Sequence, residues 1–525
     1  MSVKTSIPKV FQDWKILENQ YGTNPVPTKA LERFLQENFD KVDGDSQLEK
    51  WVPAGWQPHP KIIDRIRAPE YKYFAKELNH LWLKLGRKMS KNVMAESGGQ
   101  TSLIYVPHGF IVPGGRFREL YYWDTYFILL GLLVCDMHET AKGLVENLLH
   151  LVKNYGHIYN GSRIYYQYRS QPPFLLQMVK RYVECTGDFS IVRDNFEILE
   201  KEIQYWNDSR RLEVTVDGRK YEMFRYFCSM PGPRPESYRE DVAIASFDDT
   251  DEGKLYRYQA IGAACESGWD FSSRWFKCKR GNALVDLHTQ EIVPVDLNSF
   301  MHMNYELLRE WAVELGMEHE AEKYAVLSTE LKTAIEDLLW DEEDGIWYDL
   351  DLRDGSKNRQ YASSNFTPLW TKSFDESRKA EIAGKILAYY NKYNLWKLKG
   401  GMPSTLCFSG EQWDWPNAWA PLQLIASEGF RNVGLTELAF DVANNWTNNN
   451  FSGYLKHNLI FEKYDCRRPG MTGFGGEYEE QVGFGWSNGV LFAFMNDYAD
   501  RLEPFSPDKI RTPPIQDHNN DALST

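Results

Sequence analysis

The chain has 525 residues and a formal net charge of −14, so it can bury a large core, and length alone suggests roughly three domains at about 150 residues each. The acidic balance argues against a phosphate-backbone ligand or an anionic membrane surface and leaves a neutral or cationic ligand. Aromatic residues make up 14% of the chain, with 18 Trp and 30 Tyr, side chains whose flat apolar face and polar edge suit a sugar site as well as a large helical core.

In chain order, residues 1–60 read as a helical lead-in packed against the rest of the chain. Helical periodicity then occupies 126–154 and 174–209. From Phe300 the apolar positions Met303, Leu307, Leu308, Trp311 and Leu315 are followed, after Gly316, by Ala321, Tyr324, Ala325, Leu331, Ile335, Leu338 and Leu339, the pattern of a helical hairpin. Further helical stretches cover 378–393, 419–446 and 486–499, and no alternating run is long enough for a dominant sheet. Long connections rich in Gly, Pro, Asn and aromatics lie at 107–125, 155–173, 229–240, 262–276, 400–418 and 451–488. Loops of that length mark functional surfaces. Their recurrence after successive helices predicts a mainly α fold, an (α/α) barrel over 61–500 whose loops form a cup at one end. Residues 501–525 read as a polar, Pro-rich tail, disordered or draped on the surface.

No run of about 18 apolar residues predicts a membrane span, and MSVKTSIPKV lacks the apolar segment of a signal peptide. Seven cysteines (Cys135, Cys185, Cys228, Cys265, Cys278, Cys407, Cys466) form no CxxC pair and no Cys/His ligand spacing, so mostly free thiols are expected. Sequons at Asn160, Asn207, Asn365, Asn445 and Asn450 lean toward secretion.

Six loops carry the chemistry. PGGRFRELYYWDTY (113–126) gathers Arg116, Glu119, Trp123 and Asp124 beside two glycines, and YGHIYNGSRIYYQYRSQPPF (155–174) supplies Asn160, Arg169 and Gln171 among tyrosines. PGPRPESYRED (231–241) adds Arg234 and Glu236 on a proline-restricted backbone. ESGWDFSSRW (266–275) sets Asp270 among Trp269, Phe271 and Trp275, and QWDWPNAWAP (412–421) pairs Asp414 with Trp413, Trp415 and Trp419. The segment 461–489 runs from Glu462 through GFGG to Glu477. With no P-loop Lys-Ser/Thr and no preceding strand, that GFGG reads as a lid closing over a ligand rather than a nucleotide site.

These blocks resemble the trehalases, the glycosidases that split α,α-trehalose: PGGRFRELYYWD and QWDWPNAWAP are similar to the two family signatures, and four further blocks match in the same order over about residues 100–495. The resemblance implies an (α/α)6 barrel and inverting hydrolysis without metal or organic cofactor. It further implies that Asp270 is the general acid and Glu462 the general base. Arg116, Phe117, Tyr121, Trp123, Asp124, Asn160, Arg169, Ser170, Gln171, Arg234, Glu236, Gly268, Trp413 and Glu477 match sugar-binding positions. The lid departs from the family's all-glycine run at Phe474, which implies a stiffer or altered closure.

Inverting hydrolysis requires one protonated and one ionised carboxyl about 6.5–9.5 Å apart, in environments that push their pKa values apart. Aromatic walls are expected to hold the proton on Asp270, with the three arginines partly neutralised by Asp124, Glu236 and Glu477. Two alternatives remain: another inverting α-glucosidase or phosphorylase on the same barrel, or an inactive sugar-binding protein. The expected partners are trehalose and water, not nucleic acid or membrane, for a monomer. The RPESYRED and FSSRWF wording resembles animal members, which are typically secreted or membrane-anchored; with the sequons this implies an extracellular protein whose leader is absent from this chain, with a cytoplasmic protein as the alternative.

Overall fold

The computed structural model describes residues 3–22, 24–39, 47–90, 93, 101–277 and 284–505. Its core is a closed ring of inner helices: α1 (Tyr122–Val134), α2 (Leu175–Thr186), α3 (Val295–Leu315), α4 (Thr367–Thr371), α5 (Ala420–Asn432) and α6 (Gly485–Asp497), each packed on the next, with α6 returning to α1. Outer helices run beside them, including His138–Tyr155, Phe196–Arg210, Glu318–Ala334, Lys379–Lys392, Thr436–His457 and Pro69–Leu85. The expected (α/α)6 barrel is therefore present.

Inner and outer helices differ for a physical reason. In α1 every residue from Tyr122 to Leu133 is buried, as befits a helix surrounded by protein and apolar all round. The outer helix Pro69–Leu85 instead buries Tyr71, Phe74, Ala75, Leu78, Asn79, Trp82 and Leu85, one stripe facing the core. Gly316 breaks the predicted hairpin with a φ of 73°, a left-handed value that a side chain resists.

Several elements depart from the sequence reading. The stretches 126–154 and 419–446 each divide into an inner and an outer helix, and a helix Asp251–Ser267 occupies the first part of the predicted loop 262–276. The N-terminal helix Ile7–Tyr21 buries none of its residues. Packing of the lead-in begins instead with the strand Leu48–Lys50, paired to Gly86–Met89, and with buried Ile62, Ile63 and Ile66. Beyond residue 505 the Pro-rich tail lies outside the described residues, as does Cys278; Cys135, Cys185, Cys228, Cys265 and Cys466 are free thiols. Among the described residues no helix is long and apolar enough to cross a membrane.

All five sequon asparagines are buried: Asn160 is 6% exposed, Asn207 and Asn445 8%, Asn365 2% and Asn450 0%. A glycan on any of them would displace packed neighbours, so the sequons carry no weight toward secretion.

Candidate active site

The long loops meet at one end of the ring around a cavity of ≈ 200 Å³. From the first loop Arg116, Phe117, Tyr121, Trp123 and Asp124 line it, the last two on the opening turn of α1. The Arg116 backbone N–H donates to Gln481 Oε1 at 2.7 Å, and its guanidinium lies over Tyr478, 5.2 Å from the ring centre. Asn160, Arg169 and Gln171 line the cavity from the second loop. Arg169 donates from Nε to Asn160 Oδ1 at 2.7 Å and from Nη2 to Glu236. Ser170 does not reach the cavity: its N–H donates to Glu266 Oε1 at 2.8 Å and its hydroxyl to the Ile158 carbonyl at 2.7 Å. The match of Ser170 to a sugar-binding position is therefore not realised by its side chain.

Arg234 and Glu236 line the third side. The Arg234 guanidinium is held by Asp241, with Nη2 2.7 Å from Oδ1, and more loosely by Glu477 at 3.3 Å. Asp124 was expected among the carboxylates that neutralise the arginines. It is buried instead near Glu462 and Asp270, and burial first, then those two carboxylates, raise its pKa well above the usual range. Asp241, fully buried, takes the role assigned to Asp124.

Gly268 and Asp270 follow the helix Asp251–Ser267. Gly268 has a φ of 76°, and a Cβ there would stand 2.7 Å from the Trp123 indole, so both backbone angle and space demand glycine. The rings beside Asp270 in sequence do not wall the cavity. Trp269 and Trp275 sandwich the buried Arg274 guanidinium, 4.9 and 4.3 Å from their centres, and Phe271 lies under Arg234 at 5.4 Å. The aromatic wall comes from elsewhere: Phe117, Tyr121, Trp123, Tyr166, Trp413, Trp419, Tyr478, Phe484 and Trp486. Trp413 and Trp419 stack 4.0 Å apart with planes 2° from parallel.

Asp414 does not serve as a partner for tryptophans. It is fully buried and accepts from Ser272 Oγ at 2.8 Å, Ser273 N at 2.7 Å, Ser273 Oγ at 2.9 Å, Thr405 Oγ1 at 2.7 Å and Ser409 Oγ. It thereby fastens the chain just after Asp270. Glu462, Glu477 and Tyr478 complete the cavity. The GFGG turn is seated against the 410–417 loop: Asn417 clamps Phe474 through N–H to Oδ1 at 3.0 Å and Nδ2–H to O at 2.8 Å. A Cβ on Gly475 would come within 2.3 Å of the Gly410 carbonyl. Phe474 itself points outward against Phe408, ring centres 6.1 Å apart.

Burial pushes Asp270 up to about 7, opposed by Arg234 and Arg169 and reinforced by Glu477. Burial also pushes Glu462 up to about 7, opposed by Lys463, a hydrogen bond from Tyr478, and Arg116. Burial thus raises both carboxyls, where the sequence reading looked to their surroundings to set them apart. Burial alone would raise Glu236, but Arg169 and Arg234 overcome it and hold that carboxyl below its usual value. Tyr478 and Asp241 were missed in the sequence although each adjoins a named motif, Tyr478 directly after Glu477 and Asp241 at the end of RPESYRED.

A family model described as Trehalase matches residues 1–499. The chain is 42% identical to a trehalase of Pimpla hypochondriaca over 93% of its own length and 87% of that protein. It is also 40% identical to a Homo sapiens trehalase over 96% and 85% of the two chains. Among solved structures it resembles the neutral trehalase Nth1 of Saccharomyces cerevisiae, with a TM-score of 0.62 and 22% identity over 86% of this chain and 91% of that one. A GH63 mannosylglycerate hydrolase from Thermus thermophilus shares the fold, with a TM-score of 0.51 and 17% identity over 80% and 99% of the chains. With the family model spanning nearly the whole chain and relatives at 40% identity or more at high coverage, this chain belongs to the trehalase family of glycoside hydrolases.

Proposed function

We propose that the protein hydrolyses α,α-trehalose to two glucose molecules with inversion at the attacked anomeric carbon, Asp270 acting as general acid and Glu462 as general base. The observation that carries this reading is a pair of carboxyls on separate loops, facing one cavity and both held near pH 7 by burial. In the productive state Asp270 is protonated and donates to the bridging oxygen as the C–O bond breaks. Glu462 is ionised and takes a proton from the water that attacks the opposite face of the ring. Arg116, Arg169 and Arg234 offer planar donor forks suited to vicinal hydroxyls. A sugar lacking one of those hydroxyls would leave a buried donor unpaired, which disfavours it.

Proton NMR of the first products, before mutarotation, tests the reading. Inversion yields one α- and one β-glucose; two α anomers, or product formation that depends on inorganic phosphate, would refute it.

A further inference from the structure

Glu462 is 1% exposed, and its two oxygens have different surroundings. Oε1 accepts a hydrogen bond from the Tyr478 hydroxyl at 2.8 Å. Oε2 is buried and has no hydrogen-bond partner among the described residues. A buried carboxylate oxygen without a donor is costly, so its persistence calls for an explanation. The main chain of Glu462 is engaged elsewhere, its N–H donating to the Gln481 carbonyl at 3.0 Å and its carbonyl accepting from Trp486 Nε1 at 3.0 Å. The carboxyl group can therefore turn only about its side-chain torsions, and the Tyr478 hydroxyl stops that turn.

We propose that Tyr478 is a positioning residue that fixes Glu462 by one oxygen, Oε1, and so selects Oε2 as the atom that takes the proton from the attacking water. The proposal rests on the reading of Glu462 as general base. The Tyr478 ring is held independently of its hydroxyl, edge-on to Phe117 with centres 5.3 Å apart and beneath the Arg116 guanidinium at 5.2 Å. Packing alone would be served by phenylalanine; among the described residues the hydroxyl adds the hydrogen bond to Glu462. Tyr478 also follows the seated turn Gly475–Gly476–Glu477, so Glu462 is fixed only while that turn rests on the 410–417 loop.

The test is Tyr478→Phe in the full chain, with kcat, KM and the pH profile of kcat/KM measured on trehalose. The charged and titratable groups around Glu462 and Tyr478, namely Lys463, Arg116, Asp124 and Asp270, are unchanged in this variant. The Tyr478 hydroxyl stabilises the ionised carboxyl, so its loss raises the pKa of Glu462. A base must be ionised to work, and the acid limb of the profile therefore moves up, by about half to one pH unit. With the carboxyl free to turn, kcat is expected to fall roughly 10- to 100-fold while KM stays within about threefold.

An unmoved acid limb, or a raised KM with kcat preserved, would overturn the proposal. Should Tyr478→Phe fail to fold, 3-fluorotyrosine at position 478 keeps the ring and strengthens the donor; the acid limb then moves down, and no movement overturns the proposal. Glu462→Gln separates the two readings. If it keeps more than about a tenth of wild-type activity the base assignment itself is wrong, whereas an inactive Glu462→Gln beside an unmoved Tyr478→Phe profile removes only the role given to Tyr478.

Discussion

Replacing Glu462 by glutamine should remove activity and stabilise the fold at the same time. The carboxyl is raised from its ordinary 4.5 to about 7, with burial the largest cause, so the folded protein binds this proton more tightly than the unfolded chain does. Its stability contribution is intact below about pH 4.5, declines as pH rises to about 7 and is constant above that. The interval from 4.5 to about 7 is worth roughly 3 kcal/mol at about 1.4 kcal/mol per pH unit. Glutamine fills the same space without titrating. Urea denaturation midpoints of wild type and Glu462→Gln, taken from about pH 4.5 to about pH 8, should therefore separate progressively in favour of the variant, by up to roughly 3 kcal/mol at the alkaline end. A constant offset attributable to the amide is tolerable, since the slope is the signal. If the gap is independent of pH, or closes as pH rises, burial does not hold that proton and the electrostatic reasoning about the site is wrong.

With Asp270 and Glu462 both near 7 in the free protein, kcat/KM should describe a narrow bell centred close to neutrality, falling about tenfold per pH unit on each side; a broad plateau would contradict this. Asp241→Asn weakens the bidentate support of Arg234 and should raise KM for trehalose about tenfold or more, with a smaller effect on kcat. Ser170→Ala should keep kcat and KM within about threefold of wild type and cost about 1 kcal/mol of stability, the worth of its bond to the Ile158 carbonyl. Expressed in a secretory host, the folded protein should carry no N-glycan at Asn160, Asn207, Asn365, Asn445 or Asn450 by peptide mass mapping, because all five are buried.

The parts of the fold that were legible in the sequence are those whose signal is local. The hairpin Val295–Leu315 and Glu318–Ala334 combines a long apolar stripe with a glycine at the turn, and both survive any tertiary context. Helix Asp251–Ser267 was partly missed because its buried end, Ala260–Ser267, is built of small residues with little sidedness. The strand pair Arg211–Val216 and Arg219–Phe224 is short and half exposed, too small to register as a sheet. Membership of the site was legible too, since arginines, carboxylates and tryptophans crowd loops that a core would not tolerate. Partnership was not. Asp414 reaches Ser272 and Ser273 across 142 and 141 positions, and Ser170 faces inward to Glu266 across 96, directions fixed only when the ring closes.

The same distinction bears on how two carboxyls both raised by burial could divide the labour under the proposed mechanism. Both are lifted by burial, so burial cannot tell them apart, and neither can the rings flanking Asp270, which are spent on Arg274 and Arg234. The difference lies in how the neighbouring cations are themselves occupied. Around Asp270, Arg234 is paired to Asp241 and Glu477, and Arg169 to Glu236, so each cation reaches Asp270 with much of its field already cancelled. Around Glu462, Lys463 bonds only neutral oxygens, the Gln412 side chain and the Gly475 carbonyl, and Arg116 forms no carboxylate pair among the described residues, lying instead on aromatic faces. Those two cations favour the ionised form of Glu462, and the Tyr478 hydroxyl adds to them. Under the proposed mechanism a proton shared between the two carboxyls resides on Asp270, and a sugar that displaces cavity water sharpens that preference because every charge interaction strengthens as the dielectric falls.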